Sequence, residues 1–245
     1  MKNEGGLMFK TIKKKKKFEE VLEQIKTLLI TKKLKVGQKL PNEIELSDSM
    51  GISRSSLREA LKVLSMIGIV ESKSGEGTVV KKADPENLKN IMSLVAISRG
   101  LDTFELFEAR VILEMAAVRL AAIRRSDEDL NNIQAILEEL DKNYISDHEE
   151  ENSQLDYLFH RSIVLASNNK MLLLLTEVIS DLLGEQIRTT RRRYSTSPEI
   201  LKRFQKEHWG IFYAIKSKNS EEAEQLISSH LEKSRQEFHG LESDL

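Results

Sequence analysis

Apolar positions divide this chain into helical stripes with few interruptions. From Phe18 to about Leu34, apolar residues at Val21, Leu22, Ile25, Leu28 and Leu29 keep the spacing of one helix face. Gly37 and Pro41 end that pattern, and Asn42 suits the cap of a short helix through Ser49. Met50, Gly51 and Ile52 read as a turn, with glycine free to take a positive φ. A third helix is predicted to start between Ser53 and Ser56, with Ser56 and Glu59 as a capping box, and to stop at Gly68. Ile69–Val70 and Thr78–Val80 are β-type runs around Ser74–Gly75–Glu76–Gly77, a hairpin turn by composition. After Asp84–Pro85 the pattern is helical almost throughout, over 86–98, 102–124, 127–142, 148–167, 170–193, 197–217 and 219–238. The first part follows the order of a winged helix-turn-helix. The predicted fold class is therefore mainly α. A basic tail (1–17) precedes a winged helix-turn-helix with a small β-hairpin (18–82), and an all-α helical bundle (83–240) follows.

Composition agrees. Among 245 residues there are 11 Gly and only 3 Pro, few enough breakers for a mostly helical chain long enough to bury its own core. The absence of cysteine excludes a disulfide framework, a Cys-ligated zinc finger, an iron–sulfur cluster and a thiol nucleophile. The lysine run Lys13–Lys17 leads into Phe18–Glu19–Glu20 and not into an apolar stretch, so a secretory signal is not expected. Apolar runs such as Met171–Leu175 fall far short of the roughly 20 residues that span a bilayer. A cytoplasmic protein without membrane association is expected.

Charge changes the picture more than composition does. Residues 1–82 carry 18 Lys and Arg against 10 Asp and Glu, an excess of 8 positive charges, whereas residues 83–245 carry 20 against 29, an excess of 9 negative charges. A basic head on an acidic body suggests that the head meets a polyanion. In the third predicted helix, Leu57, Ala60, Leu61 and Leu64 share an apolar face, while Arg54, Arg58 and Lys62 recur every four residues on another, with Ser53 and Ser55 at its start. A helix fits the DNA major groove, Arg matches the guanine edge, and Ser hydroxyls and N-terminal amides suit phosphates. The alternative is an ordinary solvated face. The flanking turn and hairpin favour the first reading, because together they expose this face.

Three motifs carry a resemblance. Gly37-x-Lys39-Leu40-Pro41-x-Glu43-x-Glu45-Leu46, then Gly51 through Leu61, then Gly75-x-Gly77-Thr78-x-Val80 are similar to the GntR family of bacterial transcription regulators over about residues 18–82. The resemblance implies a homodimer reading a two-fold operator in double-stranded DNA. It makes Arg54 and Arg58 base- and phosphate-contacting arginines, Ser53 and Ser55 polar contacts at the helix start, and Gly75 and Gly77 the tip of a wing entering the minor groove. Ile44 and Glu76 stand where the family often has basic residues. The Lys13–Lys17 run is a candidate to compensate through phosphates.

The body has five histidines counted with the whole chain: His148, His160, His208, His230 and His239. Asp156 and His160 are four apart and share one helix face. His208 and His230 belong to two further predicted helices, so one carboxylate and three imidazoles can close around a divalent ion. Each lone His can equally be a surface or hydrogen-bonded core residue. Apolar neighbours such as Phe159, Ile211 and Leu231 place three of the rings near a core, where an imidazole needs a partner. His148 and His239 read as solvated. The segments around Glu108–Glu114, Asp156–Asn169, Glu207–Ile215 and Ala223–Leu231 resemble the FCD effector-binding domain of the FadR subfamily over about residues 86–238. That resemblance implies Asp156, His160, His208 and His230 as ligands of a metal, Zn or Ni, and Arg110 as an arginine facing the pocket. Arg110 can instead pair with Glu114 one turn away, and Asn168, a weaker pocket candidate, can instead cap the next helix. The stripe Met171, Leu172, Leu174, Leu175, Val178, Ile179, Leu182 and Leu183 reads mostly as core, with one edge available to a partner helix. Arg188 and Arg191–Arg193 form a basic cluster behind it.

The expected function is a DNA-binding regulator, not an enzyme. A small organic acid, a hydroxy- or dicarboxylate, is expected to bind at the metal and Arg110 and to alter operator affinity. Two alternatives stay open: a metalloenzyme fused to a DNA-binding head, and a regulator whose metal is purely structural.

Overall fold

The computed structural model describes residues 16–73, 75–143, 149–184 and 198–242, which fall into two units, 1–88 and 89–245. Lys13–Lys15, Ser74, His148, Arg188 and Arg191–Arg193 lie outside the described residues, as does the side chain of His239. The first unit holds α1 (Lys17–Ile30), α2 (Glu43–Met50), α3 (Arg54–Met66), β1 (Val70–Lys73) and β2 (Gly77–Val80). α4 (Pro85–Arg99) follows, then α5 (Thr103–Arg124), α6 (Asp127–Asn143), α7 (Glu149–Ala166), α8 (Lys170–Leu182), α9 (Pro198–Lys216) and α10 (Ser220–Glu242).

The apolar stripes become the core of the first unit. Val21 and Ile25 of α1 meet Leu57, Ala60, Leu61 and Leu64 of α3, with Leu46, Val70 and Val80 closing the cluster. Each such aliphatic side chain removed from water contributes roughly 1.5–3 kcal/mol, which holds three short helices together that would not persist alone. The turn chemistry is local. Asn42 Oδ1 accepts from the amides of Ile44 and Glu45, both at 3.0 Å, and starts α2. Gly51 ends it at φ 61, a conformation with little cost only for glycine. α3 starts one residue after Ser53, whose Oγ accepts from the Ser56 amide at 3.2 Å. The expected Ser56 cap is therefore corrected to Ser53: Ser56 already lies inside the helix, and its hydroxyl bonds to that of Ser53. The antiparallel hairpin pairs Val70 with Val80 and Lys73 with Gly77. Residues 37–40 add a further edge, with the Leu40 amide donating to Thr78 O and the Val80 amide to Gln38 O.

In the second unit α5 is the spine, packing on α7, α8, α9 and α10. Its buried side includes Ala117, Val118, Ala121 and Ala122, small residues that admit neighbouring helices closely. Asp102 and Glu105 form a reciprocal capping box that fixes its start. Around the spine, Phe159 and Ile163 of α7, Ile211, Phe212 and Ile215 of α9, and Ile227 and Leu231 of α10 fill the core. The stripe on α8 is less buried than its composition predicts: Val178 and Leu183 are covered, whereas Met171 is 61% and Leu175 41% exposed. No described helix is long and apolar enough to cross a membrane.

Candidate metal centre and nucleic-acid interface

On α3, burial of Leu57, Ala60, Leu61 and Leu64 turns the opposite side outward. Ser53, Arg54, Ser55, Arg58 and Lys62 are all exposed, as are Gly75 and Gly77 at the hairpin tip. Ser53 Oγ also meets Ser55 Oγ at 2.9 Å, so two small hydroxyls crowd the helix start. Arg58 is not a free cation: its Nε donates to Glu43 Oε2 of α2 at 2.6 Å. A Cβ at Gly77, where φ is 89, would stand 2.8 Å from Lys39 Cε, so the tip is shaped by a backbone that other residues adopt poorly.

The body brings its candidate ligands together. Asp156 and His160 project from α7, His208 from α9 and His230 from α10, and one ligating atom from each lies within 4.8 Å of the other three. All four residues are buried. His208 Nε2 is 3.2 Å from His230 Nε2 and 3.3 Å from Asp156 Oδ1, and His160 Nε2 is 3.6 Å from Asp156 Oδ2. Donors about 2.0–2.2 Å from one ion are separated by roughly 3–3.5 Å, so these spacings fit a shared divalent cation.

The far nitrogens explain the orientation. His160 Nδ1 donates to Glu114 Oε2 at 2.6 Å, and His230 Nδ1 donates to Glu207 Oε2 at 2.8 Å. An ionised carboxylate only accepts, so both rings keep Nδ1–H and turn an Nε2 lone pair inward. The His230 Nε2 lone pair thus faces His208 Nε2 at 3.2 Å, where either a proton on His208 or a shared cation can lie between the two nitrogens. Burial drives the pKa of His230 down to about 4, although Glu207 pulls the other way, so the ring is neutral near pH 7. Burial opposes ionisation of Glu114, yet His160 and Arg110 outweigh it and hold the carboxyl far below the usual range. Glu207 is likewise lowered against its partial burial by His230 and Lys233. Phe159 and Phe204 pack on the rings, with the Phe159 and His208 centroids 4.5 Å apart.

Arg110 is buried beside this cluster and donates from Nε to Glu114 Oε1 at 2.6 Å. The pairing with Glu114 is thus real, and it fixes the guanidinium near His230, whose protonation the arginine opposes. Asn168 is not brought to the centre. It is exposed at φ 50 in the turn after α7, and it is Asn169 that caps α8 through the amides of Met171 and Leu172. The cap at Asn169 corrects the capping reading of Asn168. Sequence reasoning gave Glu114 as a partner of Arg110 and tied neither Glu114 nor Glu207 to the histidines. One signal was available: Glu114 lies three and seven residues before Ala117 and Ala121, an ionisable group on a buried stripe.

Comparisons with known proteins agree with both halves. Residues 17–80 match the model described as bacterial regulatory proteins, gntR family, and residues 105–233 match the FCD domain. The chain is 35% identical over 199 residues to the HTH-type transcriptional regulator LutR of Bacillus subtilis, covering 81% of this chain and 90% of that protein. It is 30% identical over 217 residues to a putative L-lactate dehydrogenase operon regulatory protein of Escherichia coli, covering 87% and 83%. Among solved structures, Streptococcus agalactiae GntR aligns with a TM-score of 0.61 at 23% identity, over 89% of this chain and 99% of that one, a likeness of fold.

Proposed function

This chain belongs to the gntR family of bacterial regulatory proteins and carries an FCD domain, and from that premise we propose that a small organic acid bound at a metal centre controls its grip on DNA. It is a DNA-binding transcription regulator, and its relatives are regulators and not enzymes. The observation that carries the proposal is the convergence of Asp156, His160, His208 and His230 beside buried Arg110. These four side chains would hold the ion. When bound, it supplies a Lewis-acidic position for an anionic oxygen. Zn or Ni suits three imidazoles and one carboxylate.

Arg110 supplies the second half of the recognition. Its Nε is committed to Glu114, and the guanidinium makes no other hydrogen bond among the described residues. Its terminal N–H groups are left to pair with a carboxylate. We take an α-hydroxy acid such as L-lactate as the first candidate, because a relative's name ties it to the L-lactate dehydrogenase operon. The ligand must bind one arrangement of the body better than another, or no operator affinity changes. Arg54, Arg58, Lys62, Ser53 and Ser55 would contact operator DNA from α3, with Gly75 and Gly77 in the minor groove. Two copies would read the two half-sites; exposed apolar residues such as Ile97 and Ile112 support an association of bodies. Such work takes place on the chromosome, in the cytoplasm.

The test is operator affinity measured with metal-loaded protein, with and without L-lactate, glycolate and short dicarboxylates. A change of at least about fivefold with one of them is expected, the lower end of ordinary coupling energies. No change across the panel would refute the switch. Four protein donors also suit a closed structural site. His208→Ala separates the two: lost response in a folded protein supports the sensor, while lost folding with normal response below the melting point supports the staple.

A further inference from the structure

The outer side of α9 and α10 holds a groove that shares Glu207 with the surroundings of the metal centre but contains none of its four candidate ligands. It encloses about 780 Å³, within the range of small-molecule sites. Its charges sit at the two ends. Arg203, Lys206 and Lys233 occupy one, and Lys216 the other, where the chain turns into α10. Ten residues of helix between Lys206 and Lys216 span about 15 Å. The middle is apolar, with Gly210, Ala214 and Leu226 on the floor and Tyr213, 57% exposed, on the rim.

The acids of the groove are already engaged. Glu207 accepts from His230 and, at 2.7 Å, from Lys233, and Glu222 accepts from Asn219 Nδ2 at 2.8 Å. No ion pair engages Lys206 or Lys216 among the described residues, and the Lys216 ammonium stands 5.6 Å from the Phe212 ring centroid. Gly210 adds an independent observation. Its backbone has no positive φ, and a Cβ there would meet only Leu226 Cδ1, at an ordinary 3.7 Å. Glycine inside a helix costs about 1 kcal/mol relative to alanine. Neither backbone nor packing requires it, and its effect is to deepen the floor midway between the cationic ends.

We propose that this groove is a second ligand site, for an elongated organic dianion with two anionic groups joined by an apolar middle. Its chemistry differs from that of the metal centre, where a short acid fits between the ion and Arg110.

The single tryptophan reports on it. Trp209 stacks on Tyr213 with centroids 5.7 Å apart and is anchored by Asp141 at 2.9 Å. Full-length protein would be titrated with decanedioate, succinate and decane-1,10-bisphosphonate while Trp209 fluorescence is followed. A saturable change with decanedioate is expected, with succinate at least about tenfold weaker, since it loses one ion pair and most of the methylene contact. Lys216→Gln should erase the length preference. Gly210→Ala should weaken decanedioate at least about threefold while the melting temperature holds or rises by the removed helix penalty. Preference for the bisphosphonate assigns phosphate-bearing ligands, and preference for the diacid assigns carboxylates; either order supports the groove. No saturable response, equal responses to the two acids, or a response that both variants leave untouched would overturn the site.

Discussion

His160 donates from Nδ1 to Glu114 at 2.6 Å across 46 residues of sequence, and this bond turns its Nε2 towards Asp156, His208 and His230. Glu114 accepts from Arg110 with its other oxygen, so one buried carboxylate orients both the His160 ring and the Arg110 guanidinium. Glu114→Gln keeps the shape but loses the charge, and its amide can donate as well as accept. Metal affinity should fall roughly 10- to 100-fold, as for other groups that hold a metal-ligating imidazole. Calorimetric titration of Zn or Ni into the apo variant checks this, with unchanged helical circular dichroism as the control for folding.

Arg110→Lys isolates the second role. Lysine keeps a cation beside Glu114, so the acid is not left buried and alone, but it lacks the planar fork that grips a carboxylate at two points. The effector concentration needed for half-maximal change in operator affinity should rise at least about tenfold, the loss of one good charged hydrogen bond. Metal content by mass spectrometry should stay that of the unsubstituted protein. A parallel loss of metal would place Arg110 in the frame of the centre and not in ligand recognition.

These two residues show where the sequence could be read and where it could not. The buried face of α3 follows directly from the spacing of Leu57, Ala60, Leu61 and Leu64, because helix periodicity is local. Asp156 and His160 are legible as a pair for the same reason. Their meeting with His208 and His230 depends on the closure of three helices; apolar neighbours placed these rings near a core, and the family resemblance made the four residues one ligand set. The hydrogen bonds of Glu114 and Glu207 to Nδ1 atoms were not legible at all, since Glu207 precedes His208 in the chain yet serves His230 from the adjoining helix. Capping erred by three residues at α3 and by one at α8. Ser53 and Ser56, like Asn168 and Asn169, offer equivalent side chains, and only the backbone conformation chooses between them.

On the operator side, Arg54 and Arg58 should behave differently from Lys62. Arg54→Ala should cost about 1–3 kcal/mol and relax the base preference at one position of each half-site, whereas Lys62→Ala should weaken all sequences alike and lower the salt slope by about 1. Arg58 carries an added constraint, its 2.6 Å pairing with Glu43. Glu43→Gln frees that arginine, so affinity for unrelated DNA should rise more than affinity for the operator. Fluorescence anisotropy on operator and scrambled duplexes across a salt series measures all three.

Acid stability of the metal-stripped body follows from His230. In the folded state its pKa is lowered to about 4 by burial, against an ordinary 6.5. Above pH 6.5 the ring is neutral whether the chain is folded or not, and no stability is lost. As pH falls from 6.5 towards 4, the unfolded chain takes up a proton that the folded body refuses, so folding weakens by about 1.4 kcal/mol per unit, to roughly 3 kcal/mol in all. Glu114 acts with the same sign lower down, because its ionised form is stabilised in the fold and protonation below the usual carboxylate range removes that contribution. Urea unfolding of apo protein followed by circular dichroism should therefore show the body transition moving to lower urea between pH 7 and pH 4.5. His230→Gln removes the titrating ring, and its shift over the same interval should be smaller. A body transition that held its midpoint across this range would mean that His230 is charged in the fold, contrary to its burial.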